Sequence, residues 1–225
     1  MYTLFIANKN YSSWSLRPWV LMQQQAIPFV ERLSSFGSRS FREFSPSGRV
    51  PCLHDDGVVV WDSLAITEYL AERHPRVWPA SPEARAWARC AAAEMHSGFS
   101  VLRQHCGMNC GVRVRLHGLP PALKQDVARV DELWSEGLAR FGGPYLAGAE
   151  FTAVDAFFAP VAFRVSTYGL ALGPAAAGYA QRLLSLPAMQ RWYTEALQEP
   201  WRDEAHEEEL KRYGTCVEDK RLSVG

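Results

Sequence analysis

The first 75 positions alternate between apolar stretches with strand character and apolar stretches with helical spacing. The predicted elements are strands at 2–7, 29–33, 51–55 and 58–62, and helices at 16–25 and 63–74. Asp56 and Gly57 separate the last two strands, and this pair suits a tight hairpin turn. The predicted order is therefore βαβ followed by ββα, which is the order of a thioredoxin-like domain.

The pattern changes at "PRVWPASP" (75–82), where three prolines in eight residues mark a linker. Beyond it the long segments have helical spacing, and helices are predicted at 83–106, 121–140, 152–169, 175–186 and 188–198. The predicted fold class is α+β, with a thioredoxin-like domain followed by an all-α helical-bundle domain. The predicted boundaries are 1–76 for the first domain, 77–82 for the linker, 83–200 for the α domain and 201–225 for a C-terminal tail. That tail is either a final helix, "RDEAHEEELKRY" (202–213), packed over the site or a solvated segment, and its charge run favours the solvated alternative.

Composition and charge narrow the classes of function. The chain has 225 residues, 48% of them hydrophobic, and its 24 basic side chains balance 24 acidic ones. No global field recruits nucleic acid or an anionic membrane. Because no apolar run reaches about 18 residues and the N-terminus leads directly into a strand, a cytoplasmic protein is expected. The five scattered cysteines predict free thiols, with neither a disulfide framework nor a metal site.

The stretch "FTAVDAFFAP" (151–160) predicts a structural device. Thr152 is placed to accept a bond from the N–H of Asp155, whose carboxylate reaches back to the N–H of Thr152. This capping box precedes a helix that is apolar on nearly all sides, so the helix is expected at the centre of the bundle. A catalytic acid is the alternative role for Asp155, and the geometry favours the cap.

Three other stretches carry candidate chemistry. "NKNYSSWSLRP" (8–18) concentrates hydroxyls before a helix, as a turn, a cap or a ligand contact would. A cis bond between Val50 and Pro51 would leave the backbone of Val50 free to bond an extended ligand, whereas a trans proline at a strand start is the simpler alternative. Asp62 and Ser63 stand between a strand and a helix, where a helix dipole and N–H groups favour an anion.

Together these stretches resemble the cytosolic glutathione S-transferases. The resemblance runs from "YSSWSLRPW" through "SGRVPCLHDDGVVVWDSLAITEYLAERHP" to "YLAGAEFTAVDAFFAP" and "LPAMQRWYTEALQEP". It implies that the substrates are glutathione, as co-substrate, and a small electrophile, that no metal is needed, and that the protein is a homodimer. The implied glutathione contacts are Arg49 at the glycine carboxylate, Val50 beside a cis Pro51 at the cysteinyl backbone, and Asp62 with Ser63 at the γ-glutamyl end. Thr152 and Asp155 would form the family's folding cap.

The resemblance also implies a hydroxyl donor to the glutathione sulfur near the start of the first helix. "SSWS" is similar to the "SSCS" pattern of the zeta class, in which the first serine activates the thiol. Ser12 is the first candidate, Ser13 the second and Tyr11 a rival, whereas Ser15 is expected to cap the helix. Trp14 stands where the zeta class has cysteine, which argues against maleylacetoacetate isomerisation.

The second-substrate pocket is expected to include Tyr11, Trp14, His105, Met108 and Tyr168. The predicted function is a glutathione transferase that stabilises the thiolate with a serine hydroxyl and conjugates glutathione to an electrophile or isomerises the electrophile. A thiol-disulfide or quinone-reducing enzyme is less favoured, because no cysteine stands at the first helix. The alternative from another class is a glutathione-binding or protein-interaction module without turnover.

Overall fold

A four-stranded sheet forms the first domain of the computed structural model, which describes residues 1–38 and 40–223. In chain order its elements are β1 (Tyr2–Ile6), α1 (Ser13–Gln24), β2 (Phe29–Leu33), a 3-10 turn (Phe41–Glu43), β3 (Cys52–Asp55), β4 (Val58–Trp61) and α2 (Ser63–Ala71). The strand order is β2-β1-β3-β4, with β1 parallel to β2 and antiparallel to β3. This confirms the predicted thioredoxin-like arrangement.

The second domain is helical, as predicted. Its elements are α3 (Pro82–Ser97), α4 (Ser100–His105), β5 (Val112–Leu116), α5 (Pro121–Phe141), α6 (Ala153–Tyr168), α7 (Pro174–Ser185), α8 (Pro187–Gln198), α9 (Glu204–Tyr213) and β6 (Gly214–Asp219). The helix predicted at 83–106 is divided into α3 and α4, since Phe99 between them has a φ of +53°, in the left-handed region. The two-stranded sheet of β5 and β6 was not predicted.

Helix α6 lies at the centre of the molecule. Fourteen of its sixteen residues are buried, and it packs against α1, α3 and α7. Because an α-helix that is apolar on all sides must be covered on all sides, its position follows from its sequence. The contact between α6 and α1 joins the two domains and brings the start of α1 close to the helical bundle.

Residues 201–223 do not form the favoured solvated tail but include the alternative, a final packed helix. Leu210 of α9 is buried, and β6 pairs with β5 over Gly214–Asp219. Arg221 donates to the carboxylates of Glu207 and Asp219, which ties the end of the chain to α9. The charge run is amphipathic, and only its outer face is solvated.

Candidate functional site

Helix α1 places two serines at its N-terminus, at positions nearly closed to solvent. Ser12 is the N-cap residue and Ser13 is the first helical residue. The Ser12 hydroxyl donates to Ser15 Oγ at 2.7 Å, and that oxygen also accepts the N–H of Ala7 at 3.3 Å. The expected role of Ser15 as the helix cap is therefore wrong, because its hydroxyl joins α1 to β1. In the described part of the chain no hydrogen bond engages the hydroxyl of Ser13.

A cavity of about 460 Å³ lies between the start of α1, the turn before β3 and the start of α2. We call it the proline cavity, and its lining consists of Trp14, Ser47, Arg49, Val50, Pro51, Trp61, Asp62, Ser63 and His96. The Val50–Pro51 peptide bond is cis. Within residues 1–38 and 40–223 neither the N–H nor the C=O of Val50 has a backbone partner. This cavity therefore offers an unpaired donor and acceptor to an extended ligand.

The start of α2 forms the opposite wall of the proline cavity. The Asp62 carboxylate caps the helix by accepting the N–H groups of Leu64 (2.8 Å) and Ala65 (3.3 Å). The same carboxylate lies 3.4 Å from Nε2 of His96. Burial and two neighbouring guanidinium groups lower the pKa of His96, against the pull of Asp62, so the imidazole is neutral at neutral pH.

Ser63 is the first residue of α2 and has no solvent exposure. Its hydroxyl accepts a bond from Nη1 of Arg17, at 3.4 Å. The positive end of the α2 dipole and a nearby buried cation make this part of the cavity favourable for a carboxylate. Ser63 therefore lies where the local field favours a negatively charged group.

A second cavity, of about 570 Å³, adjoins the first. We call it the arginine cavity, and its lining consists of Tyr11, Ser12, Ser13, Trp14, Phe36, Phe41, Gly48, Arg49, Val50, Arg103, Gly107, Met108, Arg164, His206 and Glu209. Trp14, Arg49 and Val50 line both cavities. A ligand in the proline cavity therefore lies next to whatever enters the arginine cavity, whose wall includes Ser12 and Ser13 of α1.

Three residues expected in the second pocket, Tyr11, Trp14 and Met108, line the arginine cavity. The structure does not bring His105 or Tyr168 to it. The Tyr168 hydroxyl donates to the carbonyl of Gly107 at 2.8 Å, and the ring of His105 lies 4.3 Å from that of Tyr213. Both side chains line a small cavity beside α9, with His206, Glu209 and Leu210.

The phenol of Tyr11 is already engaged. Its O–H donates to Glu207 at 2.7 Å and its oxygen accepts from Arg221 at 3.1 Å. Burial, followed by the hydrogen bond to Glu207, raises the pKa of Tyr11. The hydroxyl therefore holds α9 in place and has no free proton for a ligand.

Asp155 and Thr152 lie away from both cavities, at the start of α6, where the predicted capping box forms. The Asp155 carboxylate accepts the N–H groups of Thr152 (2.9 Å) and Leu146 (3.0 Å) and the hydroxyl of Tyr179 (2.7 Å). Burial raises the pKa of Asp155 to about 6, although these three bonds oppose the rise. The group is placed to hold the helix start.

Three arginines near the site were missed by the sequence reasoning. Arg103 and Arg164 line the arginine cavity, and Arg17 lies beneath Ser63 with its guanidinium 4.1 Å from the ring of Trp14. A signal for Arg164 was present, because it is the one charged residue between Ala156 and Tyr168 in an apolar helix. A charge in such a helix needs a partner or a function.

No group of three or more His, Cys, Asp or Glu side chains in the described ranges could hold a metal ion. Among the same residues, no helix has the length and apolarity needed to cross a bilayer.

Comparison with known families covers most of the chain. The family model of the glutathione S-transferase N-terminal domain matches residues 11–73, and that of the glutathione S-transferase C-terminal domain matches residues 84–195. The matched ranges contain both serines of α1, the wall of the proline cavity and the start of α6.

Two curated relatives and one solved structure show the range of similar proteins. A probable maleylacetoacetate isomerase of Caenorhabditis elegans is 28% identical over 177 residues, which cover 74% of this chain and 79% of that protein. A stringent starvation protein A homolog of Histophilus somni is 26% identical over 174 residues, covering 75% and 76%. A glutathione transferase homolog from Burkholderia gl BGR1, solved with bound glutathione, has a TM-score of 0.66 and 23% identity, covering 87% of this chain and 97% of that one.

Proposed function

Because the chain belongs to the glutathione S-transferase family, we propose that it is a glutathione transferase. It binds glutathione in the proline cavity, holds the thiol as thiolate, and transfers it to a small electrophile that enters the arginine cavity. The observation that carries this proposal is that the two cavities adjoin, with the hydroxyls of Ser12 and Ser13 beside them. Maleylacetoacetate isomerisation stays unfavoured, since Trp14 stands where the zeta class has cysteine.

Glutathione is placed by the chemistry of its three parts. Its γ-glutamyl carboxylate lies at the N-terminus of α2, with Ser63 and the cap residue Asp62. Its cysteinyl amide pairs with the unpaired backbone N–H and C=O of Val50, next to Pro51. Its glycine carboxylate lies near Arg49, which is exposed at the mouth of both cavities. This arrangement puts the sulfur toward the start of α1.

Thiolate stabilisation is the chemical task of the site. A free thiol has a pKa of about 8.5, so only a few per cent is ionised at neutral pH. A hydroxyl donor, the positive end of α1 and neighbouring guanidinium groups each favour the anion. A shift of one pKa unit corresponds to about 1.4 kcal/mol, which a donor and a helix dipole can supply.

Between the two serines, the hydrogen bonds favour Ser13 as the donor. Ser12, the first candidate from the sequence pattern, must give up its 2.7 Å bond to Ser15 before it can donate to sulfur. Ser13 loses no protein hydrogen bond within the described residues when it donates. Tyr11 is the weakest candidate because its proton is held by Glu207.

The test is a pH titration of bound glutathione, followed by the ultraviolet absorbance of the thiolate. The native protein is compared with Ser12→Ala and Ser13→Ala, and Ser97→Ala, an exposed serine of α3, is the control. We expect a bound-thiol pKa at least about one unit below the free value, restored toward it by Ser13→Ala. An unshifted pKa with glutathione bound would refute the thiolate mechanism.

That outcome would favour the second candidate, a glutathione-binding or interaction module without turnover. One observation supports it: two of the three candidate hydroxyls, those of Tyr11 and Ser12, already donate to protein oxygens. In a module of this kind, glutathione binds, but none of the serine substitutions changes the titration of its thiol.

We further propose that the protein is a cytoplasmic homodimer that associates through β4 and α2. Val58 and Trp61 of β4 are 47% and 45% exposed, and Trp61 borders both the proline cavity and an apolar surface formed with α2. Light scattering after size exclusion tests this by comparing Trp61→Glu with Trp201→Glu, a similarly exposed tryptophan elsewhere. We expect only Trp61→Glu to give monomers. Monomeric native protein would contradict the proposal.

A further inference from the structure

The side chains that line the arginine cavity carry more positive than negative charge. Its titratable lining consists of Tyr11, Arg49, Arg103, Arg164, His206 and Glu209. Three guanidinium groups therefore face one carboxylate, while His206 is already paired with Asp203 at 2.6 Å. A cavity with this balance attracts anions over neutral molecules of the same shape.

Arg164 is the least compensated of these cations. Its side chain is only 3% exposed, and its Nε donates to the carbonyl of Cys106 at 2.8 Å. Its Nη1 atom is buried without a hydrogen-bond partner. Within residues 1–38 and 40–223, no ion pair with a carboxylate involves Arg164. A buried cation with an unfilled donor is costly unless another group supplies negative charge.

Arg103 and Arg17 increase this positive charge. Arg103 donates to the carbonyls of Met95 and His96, and its guanidinium lies 5.5 Å from the ring of Trp14. Burial, together with repulsion among the three guanidinium groups, lowers the pKa of Arg17 to about 9 and that of Arg164 to about 10. A bound anion would relieve the repulsion that each cation exerts on the others.

Part of the remaining wall of the cavity is aromatic. Tyr11, Trp14, Phe36 and Phe41 contribute rings to the lining, and Phe36 lies 6.0 Å from Phe41. Flat unsaturated groups pack well against such rings. The cavity therefore combines a surface for a planar apolar body with a buried cation for a charged end.

We propose that the electrophile is an unsaturated or aromatic carboxylate whose anionic group is bound by Arg164 and Arg103. This inference rests on the proposed function and names the substrate class of its second cavity. The thiolate sulfur forms a bond to the electrophilic carbon. In a displacement, the leaving group departs with the bonding electron pair. In an addition, the π electron pair of the carbon–carbon double bond moves onto the conjugated group, and the adjacent carbon then takes a proton from water. The carboxylate itself is unchanged.

The test uses two aromatic electrophiles that differ in one charge, 4-chloro-3,5-dinitrobenzoate and 4-chloro-3,5-dinitrobenzamide. In both, glutathione sulfur replaces chlorine and chloride leaves. Each kcat/KM is divided by the rate constant for the same compound with free glutathione, which removes the difference in intrinsic reactivity. We expect the normalised value of the benzoate to exceed that of the benzamide by about tenfold or more, equivalent to about 1.4 kcal/mol.

Substitutions of Arg164 and Arg103 test whether these side chains cause the preference for the benzoate. Arg164→Met and Arg103→Met are each expected to reduce the benzoate-to-benzamide ratio several-fold, and Arg164→Lys to retain part of it. Arg113→Met is the matched control, because Arg113 also donates to backbone carbonyls, those of Cys110 and Val112, but lies outside the cavity. If Arg164→Met fails to fold, the half-buried Arg103 still supplies the comparison.

A binding measurement without turnover distinguishes failure of the proposed function from failure of the carboxylate inference. Calorimetry compares glutathione with its carboxylated and carbamoylated dinitrophenyl conjugates, the products of the two reactions. Failure to bind glutathione would refute the proposed function itself. Glutathione binding with equal affinities for the two conjugates would refute only the carboxylate inference. Loss of glutathione affinity in Arg164→Lys, with an unchanged conjugate ratio, would also refute it, since the cation would then serve the tripeptide.

Discussion

The carboxylate of Asp155 offers a stability prediction that can be worked from its contacts. Asp155→Ala removes the acceptor of three short bonds from buried donors, the N–H groups of Thr152 and Leu146 and the hydroxyl of Tyr179, and of a longer bond, 3.5 Å, from the Thr152 hydroxyl. All four residues are less than 5% exposed, so water reaches these donors only if the helix start opens. Each unsatisfied buried donor costs about 1–3 kcal/mol, which gives a gross loss of about 6 kcal/mol.

Part of this loss is recovered, because the substitution also removes a buried charge. Burial raises the pKa of Asp155 from 3.8 to about 6, so keeping the group ionised at pH 7 costs about 3 kcal/mol. The net loss expected at pH 7 is therefore about 3 kcal/mol of the free energy of unfolding. For a chain of this length that corresponds to a fall in Tm of about 6–12 °C.

Urea unfolding, followed by both tryptophan fluorescence and circular dichroism, measures this loss. Glu132→Ala is the control, since Glu132 makes an exposed ion pair with Arg129, and its loss is expected below about 1 kcal/mol. Tyr179→Phe in the Asp155→Ala background should cost less than in the native protein, because its hydroxyl no longer has an acceptor to lose. A loss below about 1 kcal/mol for Asp155→Ala with an unchanged m-value would refute the account of the helix start.

Three further predictions concern Asp155, the bond from Tyr11 to α9, and the buried cation of Lys9. The folded state binds the proton of Asp155 more tightly than the unfolded state, so protonation of this carboxyl stabilises the fold. This stabilisation is fully present below about pH 3.8 and is lost as pH rises toward about 6. In Asp155→Asn we expect the corresponding fall of the urea midpoint with rising pH to disappear across that range. Tyr11→Phe removes the bond to Glu207 and loosens α9, which faster hydrogen exchange in 204–213 will report, while the pKa of bound glutathione thiol stays the same. Lys9→Met leaves the carboxylates of Glu31 and Glu195 without their buried cation, and we expect a loss of about 3 kcal/mol in urea unfolding.

Several elements were determined by the sequence alone, because their signals act within a few residues. The Asp-Gly pair at 56–57 specifies the hairpin of β3 and β4 through the φ values these two residues adopt. The capping box at Thr152 and Asp155 specifies the start of α6 in the same local way. The prolines of 75–82 prevent a helix from crossing between the domains. Local rules were therefore sufficient for the order of elements in the first domain and for the helical character of the second, but they did not reveal β5 and β6.

The candidate site was predicted in part for the same reason. The walls of the proline cavity come from the turn at Val50–Pro51 and from the strand-to-helix junction at Asp62–Ser63, which are both short motifs. Their spacing along the chain carried the resemblance to the family. The hydrogen-bonding state of each hydroxyl was not predictable, because the bond from Ser12 to Ser15 depends on where β1 places the N–H of Ala7.

Only the tertiary structure decided which segment covers the site and which side chains give it positive charge. Strand β6 pairs with β5 about 100 residues earlier in the chain, and this pairing holds α9 against Tyr11. Arg164 of α6 and Arg103 of α4 line one cavity although they are 61 positions apart in the sequence. Such contacts have no local signal, since pairing and burial depend on the packing of the whole chain.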